Sequence, residues 1–167
     1  MKIEIRKLTR EDVPSLRELR LESLRLHPEA FAADLDIEEA MPLAQWSERL
    51  DTATTFGGFV DGALAGFVVF SKPGSKKIRH TGELGAMYVR ERARGTGLAD
   101  ALIEALIDQA VNEVEQIKLL VNAENSRAIK VYERHGFRTI GKFPNSLRVG
   151  NRTYGELIML RPVSASD

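Results

Sequence analysis

The sequence predicts an α/β fold, an α+β sandwich in which helices pack on a mixed sheet, and three observations carry that prediction. Segments with strand and helix periodicity follow one another in the order strand, helix, helix, three strands, helix, strand, helix, two strands. The dipeptide Asp61-Gly62 joins two β-rich runs, as a type I′ hairpin turn requires. A glycine-rich turn, Arg92-Ala93-Arg94-Gly95-Thr96-Gly97, stands between a strand and a helix.

The elements follow in order. Residues 2–8 alternate Ile3, Ile5 and Leu8 with charge, which suits a half-buried strand. Thr9 with Asp12 resembles a capping box, Pro14 is tolerated in a first turn, and Val13, Leu16, Leu19 and Leu24 recur at helical spacing up to a stop before Pro28. Residues 27–50 mix turn residues with amphipathic pieces, and Pro42 before Leu43, Trp46 and Leu50 marks a second helix start. Strands are expected at 54–60 and 63–71, and a further one at 78–90. In that strand simple alternation puts Leu84, Ala86 and Tyr88 on one face and Glu83, Gly85, Met87 and Val89 on the other. A long buried helix is expected over 97–114 and a short buried strand over 117–121. A helix capped by Asn125 or Ser126 runs to His135 with Gly136 beyond it, and strands at about 137–143 and 153–161 complete the order.

At 167 residues with 43% hydrophobic content the chain reads as one domain over 1–167. Its 24 basic and 24 acidic residues cancel, so the positive field of a nonspecific nucleic-acid binder is missing and no nucleic-acid partner is expected. The absence of cysteine excludes disulfides, thiolate metal sites and a cysteine nucleophile, and His27, His80 and His135 lack metal-ligand spacing, so no metal is expected. The charged N-terminus and the lack of a long apolar run point to a cytoplasmic protein with no membrane partner.

The glycine turn is the most informative stretch. A chain that re-enters a helix at Gly97 offers several backbone N–H groups and the positive end of a helix dipole, and Arg92 and Arg94 add charge suited to phosphate. The same residues also suit a plain tight turn flanked by solvated arginines. A dinucleotide fingerprint would need a small residue three places after Gly97, where Asp100 stands and would set a negative charge near a pyrophosphate. The Gly-Lys-Ser/Thr of an ATP-type loop is absent.

Arg92-x-x-Gly95-x-Gly97 after Met87-Tyr88-Val89 resembles the acyl-CoA signature of the GNAT superfamily of N-acetyltransferases. The run from Asn125 through Ala128, Tyr132 and Glu133 to Gly136-Phe137 resembles that family's N-x-x-A-x-x-x-Y-E-x-x-G-F block. The resemblance implies a mixed, mostly antiparallel central sheet flanked by helices, with central strands splayed around acetyl-CoA as acyl-donor co-substrate. It also implies a donor site formed by Met87, Tyr88, Val89, Arg92, Arg94, Gly95, Thr96, Gly97, Leu98, Ala99, Asn125 and Ala128. Dimers are common in the family, so a homodimer is an arrangement the resemblance allows.

The chemistry asks for a base and an acid. An alkylammonium of pKa about 10.4 leaves about one molecule in 2,500 as nucleophile at pH 7, a handicap of about 4.6 kcal/mol. Glu83 resembles the glutamate base of the histone-acetylating branch, although it also reads as a strand-edge carboxylate paired with Lys77 or Arg79; Glu156 is the reserve, and a water chain the third route. Tyr132 matches the family tyrosine that protonates the leaving thiolate, while periodicity alone would make it a core residue. Asn125 suits both a pantetheine contact and an N-cap, and His135 is given no catalytic role. Without cysteine, direct transfer in a ternary complex is favoured over an acyl-enzyme.

The acceptor is expected to be a small-molecule amine, with a protein lysine or N-terminus as the alternative; Phe31, Trp46 and the acidic run Asp34, Asp36, Glu38, Glu39 are candidate acceptor residues. A module that binds acyl-CoA without turnover is the rival from another class, and Glu83, Asn125 and Tyr132 argue against it.

Overall fold

A computed structural model of the chain describes residues 1–163; residues 164–167 of the expected domain lie outside it. The strands are β1 (Ile3–Lys7), β2 (Thr54–Val60), β3 (Ala63–Ser71), β4 (Thr81–Val89), β5 (Gln116–Asn122), β6 (Arg138–Val149) and β7 (Arg152–Pro162). They form one sheet in the order β1-β2-β3-β4-β5-β7-β6, and only the β4–β5 pair is parallel. The helices are α1 (Val13–Leu26), α2 (Leu35–Glu39), α3 (Leu43–Thr52), α4 (Leu98–Ala110) and α5 (Ser126–Arg134). This is the sandwich of helices on a mixed sheet that the element order predicts, mostly antiparallel as the resemblance implies.

Local chemistry explains the element ends. The Thr9 N–H donates to the Asp12 carboxylate at 2.8 Å, closing the entry to α1, and Pro14 occupies its first turn. Asp61 and Gly62 take φ of 49° and 86°, the paired positive values of a type I′ turn. Asn125 caps α5 by accepting from the Ala128 N–H at 3.2 Å.

The sheet buries both faces. Leu98, Leu102, Ile103 and Leu106 of α4 are fully buried against Phe56, Val68, Leu84 and Val89, with Tyr132 and Phe137 in the same cluster. Each such aliphatic side chain contributes about 1.5–3 kcal/mol. On the opposite face Leu16 and Leu19 of α1 pack on Phe59, Leu64, Phe67 and Tyr88. Trp46, 1% exposed, wedges between Val13 and Leu21, so it is a core residue rather than an acceptor contact.

Three expectations are corrected. The strand placed at 78–90 is shorter, because residues 75–80 turn instead. The helix placed at 97–114 ends at Ala110, and Val111 is exposed. Simple alternation in β4 fails because Val69 pairs Ala86 whereas Phe70 pairs Leu84, which leaves Gly85 as an extra, bulged residue. Leu84 therefore shares a face with Met87 and Val89, while Ala86 and Tyr88 face α1.

Glu38, also named as an acceptor candidate, is 2% exposed and held by Arg20 Nε at 2.9 Å and Arg49 Nη1 at 3.1 Å. Burial works to raise its carboxyl pKa, but the hydrogen bonds from Arg20 and Arg49 outweigh it and hold the group below the usual carboxylate range. A depressed folded pKa stabilises the fold above the unfolded value, about 4.3, and that contribution is lost as pH falls through the lower folded value. Urea midpoints measured between pH 6 and pH 3 are expected to fall in acid, and Glu38→Gln is expected to flatten that limb.

Candidate active site

The site begins where two central strands part. β4 and β5 share only the rungs Thr81↔Gln116, Gly82↔Ile117 and Glu83↔Lys118. Among the described residues β4 has no partner on that side from Leu84 onward, leaving about 20 Å of strand edge open. β5 meanwhile stays paired with β7 as far as Asn122↔Glu156.

The polarity of the open edge can be assigned. The Arg90 N–H donates to the Ala65 carbonyl on β3 at 2.8 Å, so by alternation Tyr88 points its backbone groups at β3 while Met87 and Val89 point theirs into the gap. Arg94 Nε donating to the Val89 carbonyl at 3.3 Å agrees. The gap opens into a cleft of about 740 Å³.

Of the donor-site residues expected from sequence, Met87, Tyr88, Val89, Arg94, Gly95, Gly97, Ala99, Asn125 and Ala128 line this cleft. At its mouth Gly95 and Gly97 take φ of 75° and 91°, values that side chains resist, and a Cβ at either would meet no atom within 4 Å. Among the described residues the N–H groups of Gly95, Thr96 and Gly97 donate to no protein acceptor, which suits an anion before α4. Arg92, Thr96 and Leu98 lie outside the lining. Arg92 is exposed, the Thr96 hydroxyl turns inward to the Ala93 carbonyl at 2.6 Å, and Leu98 is fully buried under Gly58.

Tyr132 is 6% exposed and sits edge-on to Phe137 at 5.8 Å between centroids. Burial pushes its phenol well above its ordinary pKa, so it stays protonated at neutral pH, and among the described residues its hydroxyl makes no hydrogen bond. Glu83 stands on the last shared rung, opposite Lys118, and forms no ion pair among the described residues. Glu156, 9% exposed, accepts from the Ser146 hydroxyl at 2.5 Å. Neither carboxylate lines the cleft, and neither does Tyr132.

The cleft also gathers residues the sequence did not single out: His27, Glu29 and Ala30 after α1, Asn122 at the end of β5 and Glu124 beyond it, Arg127, Val131 and Arg134 on α5, and Arg152 and Tyr154 on β7. Arg127, Val131 and Arg134 follow a helical spacing of four and three, so the motif on α5 could have revealed them. The others carry no local signal. Phe31 lines the cleft as expected, whereas Asp34, Asp36 and Glu39 do not. The Tyr88 hydroxyl donates to Glu22 at 3.0 Å, and burial together with that carboxylate pushes its pKa up to about 12. An Arg94 N–H reaches His27 Nε2 at 3.3 Å. Among the described residues no helix is long and apolar enough to cross a membrane.

Comparison with known proteins agrees with this geometry. The chain matches the acetyltransferase (GNAT) family over residues 13–137. It is 27% identical over 144 residues to the L-amino acid N-acetyltransferase AaaT of Escherichia coli, covering 83% of this chain and 85% of that protein. It is 31% identical over 96 residues to N-alpha-acetyltransferase 30 of Saccharomyces cerevisiae, covering 57% and 54%. The acetyltransferase of GNAT family from Streptococcus pneumoniae superposes with a TM-score of 0.85 at 23% identity, covering 97% of this chain and 99% of that one. The structure of yncA from Salmonella typhimurium with its cofactor acetyl-CoA gives 0.81 at 20% identity, covering 98% and 95%. The chain belongs to the GNAT family and is an acetyl-CoA-dependent acetyltransferase.

Proposed function

We propose that the protein moves the acetyl group of acetyl-CoA directly to the primary amine of a small molecule in a ternary complex. The observation that carries this reading is the opening of β4 from β5 after three rungs, with the Gly95–Gly97 turn at the mouth and the Met87 and Val89 backbone groups facing inward. The residues present fit acetyl-CoA. Three unpaired N–H groups before α4 suit its pyrophosphate, and the open strand edge suits its pantetheine amides in the manner of strand addition. When bound, acetyl-CoA supplies the acyl group and a thiolate leaving group.

The amine nitrogen attacks the thioester carbonyl carbon, the C–N bond forms, and the C–S bond then breaks. Tyr132 is protonated and, like Glu83, lies outside the lining, so its proton reaches the leaving sulfur through a water and it regains one from solvent. A backbone N–H near Met87 steadies the developing oxyanion. The ammonium gives one proton through water toward Glu83, which stands beside the tip of the gap and outside the lining. The second proton, shed by nitrogen as the C–N bond forms, passes through water to solvent and replaces the one that Tyr132 gives up. Glu156, engaged by Ser146, shapes the β6–β7 wall instead. With no cysteine in the chain, no acyl-enzyme is needed.

A small acceptor is supported by the extent of likeness to the amino-acid acetyltransferase, which spans 83% of this chain against 57% for the N-alpha-acetyltransferase. Incubating the protein with acetyl-CoA and a panel of free amino acids, polyamines and N-terminal peptides, followed by mass spectrometry, is expected to acetylate free amino acids or other small amines. Acetylation of peptides alone would move the acceptor to protein N-termini or lysines. Binding of acetyl-CoA with no acetylated product would favour a module without turnover.

A further inference from the structure

The cleft is lined from both faces of the sheet. Gly95, Gly97 and Ala128 line it on the face where α4 and α5 pack, the side that suits the donor. Tyr88 faces α1 instead, and the Asn122 side chain reaches the Glu29 carbonyl in the turn after α1, so the cleft has a second wall on the α1 face. Asn122 stands opposite Glu156 in the β5–β7 ladder, and by alternation along β7 Tyr154 and Arg152 share that face. An amine that comes to the thioester from the side the donor leaves free therefore passes Arg152.

Arg152 is held in place by two contacts. Its guanidinium carbon stands 4.5 Å from the centroid of the Tyr154 ring, and Nη2 donates to Glu124 Oε1 at 2.6 Å. Stack and ion pair together restrict a long side chain before any ligand arrives, so less freedom is lost on binding. A guanidinium has five N–H donors, and Glu124 takes one. Among the described residues the Nε and Nη1 groups donate to no protein acceptor, and the side chain is 62% exposed at the cleft wall. A carboxylate finds its complement there, whereas a second ammonium does not, because Glu124 is already engaged. Resting on the reading of this cleft as an acetyltransferase site, we propose that the acceptor carries a carboxylate as well as its amine, and that Arg152 is the specificity-determining residue that binds it.

The test measures acetylation of L-amino acids beside their carboxamides, and of 4-aminobutanoate beside butylamine, by wild type, Arg152→Ala and Arg152→Lys. Arg148→Ala, exposed on β6 outside the lining, controls for lost positive charge nearby. A neighbouring carboxylate keeps an amine protonated, so intrinsic reactivity favours the uncharged partner of each pair. The wild type is expected to prefer the carboxylate-bearing partner all the same, and the series that shows the preference gives the separation of amine from carboxylate. Arg152→Ala is expected to raise KM for that acceptor about tenfold, with kcat and Kd for acetyl-CoA nearly unchanged, and to abolish the preference. Arg152→Lys is expected to recover part of it, and Arg148→Ala to behave as wild type. Equal losses for both partners of a pair, or a raised Kd for acetyl-CoA in Arg152→Ala, overturn the proposal. Turnover confined to amines without a carboxylate, such as spermidine, overturns it too and leaves acetyl transfer in the cleft standing. A wild type that binds acetyl-CoA but turns over no amine removes the transferase reading and the proposal together.

Discussion

Tyr132→Phe is expected to lower kcat by about 10² to 10⁴ while leaving Kd for acetyl-CoA unchanged. The substitution removes one oxygen and keeps the ring, so its packing in the α4–α5 core and its edge-on contact with Phe137 survive. Because burial holds the phenol well above its ordinary range, the wild-type group is a proton donor throughout the neutral and mildly alkaline region. The loss in the variant is therefore expected to stay constant between pH 6 and 9. Stopped-assay rates over that range check this, and an unchanged kcat would remove Tyr132 from the acid role.

Gly97→Val is expected to raise Kd for acetyl-CoA by about a hundredfold or more. Two effects add. A β-branched residue at φ 91° is strained by about 1–3 kcal/mol, and its side chain occupies open space at the cleft mouth where the backbone must approach phosphate. Gly62→Val provides the comparison, since Gly62 has φ 86° and open space around it but lies in the β2–β3 turn away from the cleft. It is expected to lose stability with Kd unchanged. Equal Kd increases in both variants would mean that strain, not ligand space, accounts for the effect.

Local chemistry made much of the fold legible. The Asp61-Gly62 turn, the glycine pair before α4 and the Asn125 cap are each fixed by residues close in sequence, and each stands where it was expected. The splay of β4 from β5 followed from the resemblance alone, because no periodicity reports which strands part. The bulge at Gly85 was hidden for a related reason. A period-two reading assumes an unbroken ladder, and only the pairing of Val69 and Phe70 with Ala86 and Leu84 shows that it breaks.

Long-range contacts placed the rest of the site. The Pro28–Ala30 turn reaches the cleft because the buried Asn122 side chain donates to the Glu29 carbonyl at 2.8 Å across 93 residues of sequence, and nothing local to either segment signals it. Asp100 shows how position changes meaning. In sequence it counted against a dinucleotide fingerprint after Gly97, and in the fold its charge is met by Arg134 and His135. The acidic run at 34–39 reads as an acceptor surface, yet Glu38 is spent on Arg20 and Arg49 beneath it.

The most direct measurement is the release of free CoA thiol from acetyl-CoA, followed with a thiol reagent while acetyl-CoA and an amine are varied together. The chain has no cysteine, so the reagent reads only CoA. Amine-dependent release with intersecting reciprocal plots is the expected result, as direct transfer in a ternary complex requires. Parallel plots, or release that no amine accelerates, would contradict direct acetyl transfer in the cleft between β4 and β5.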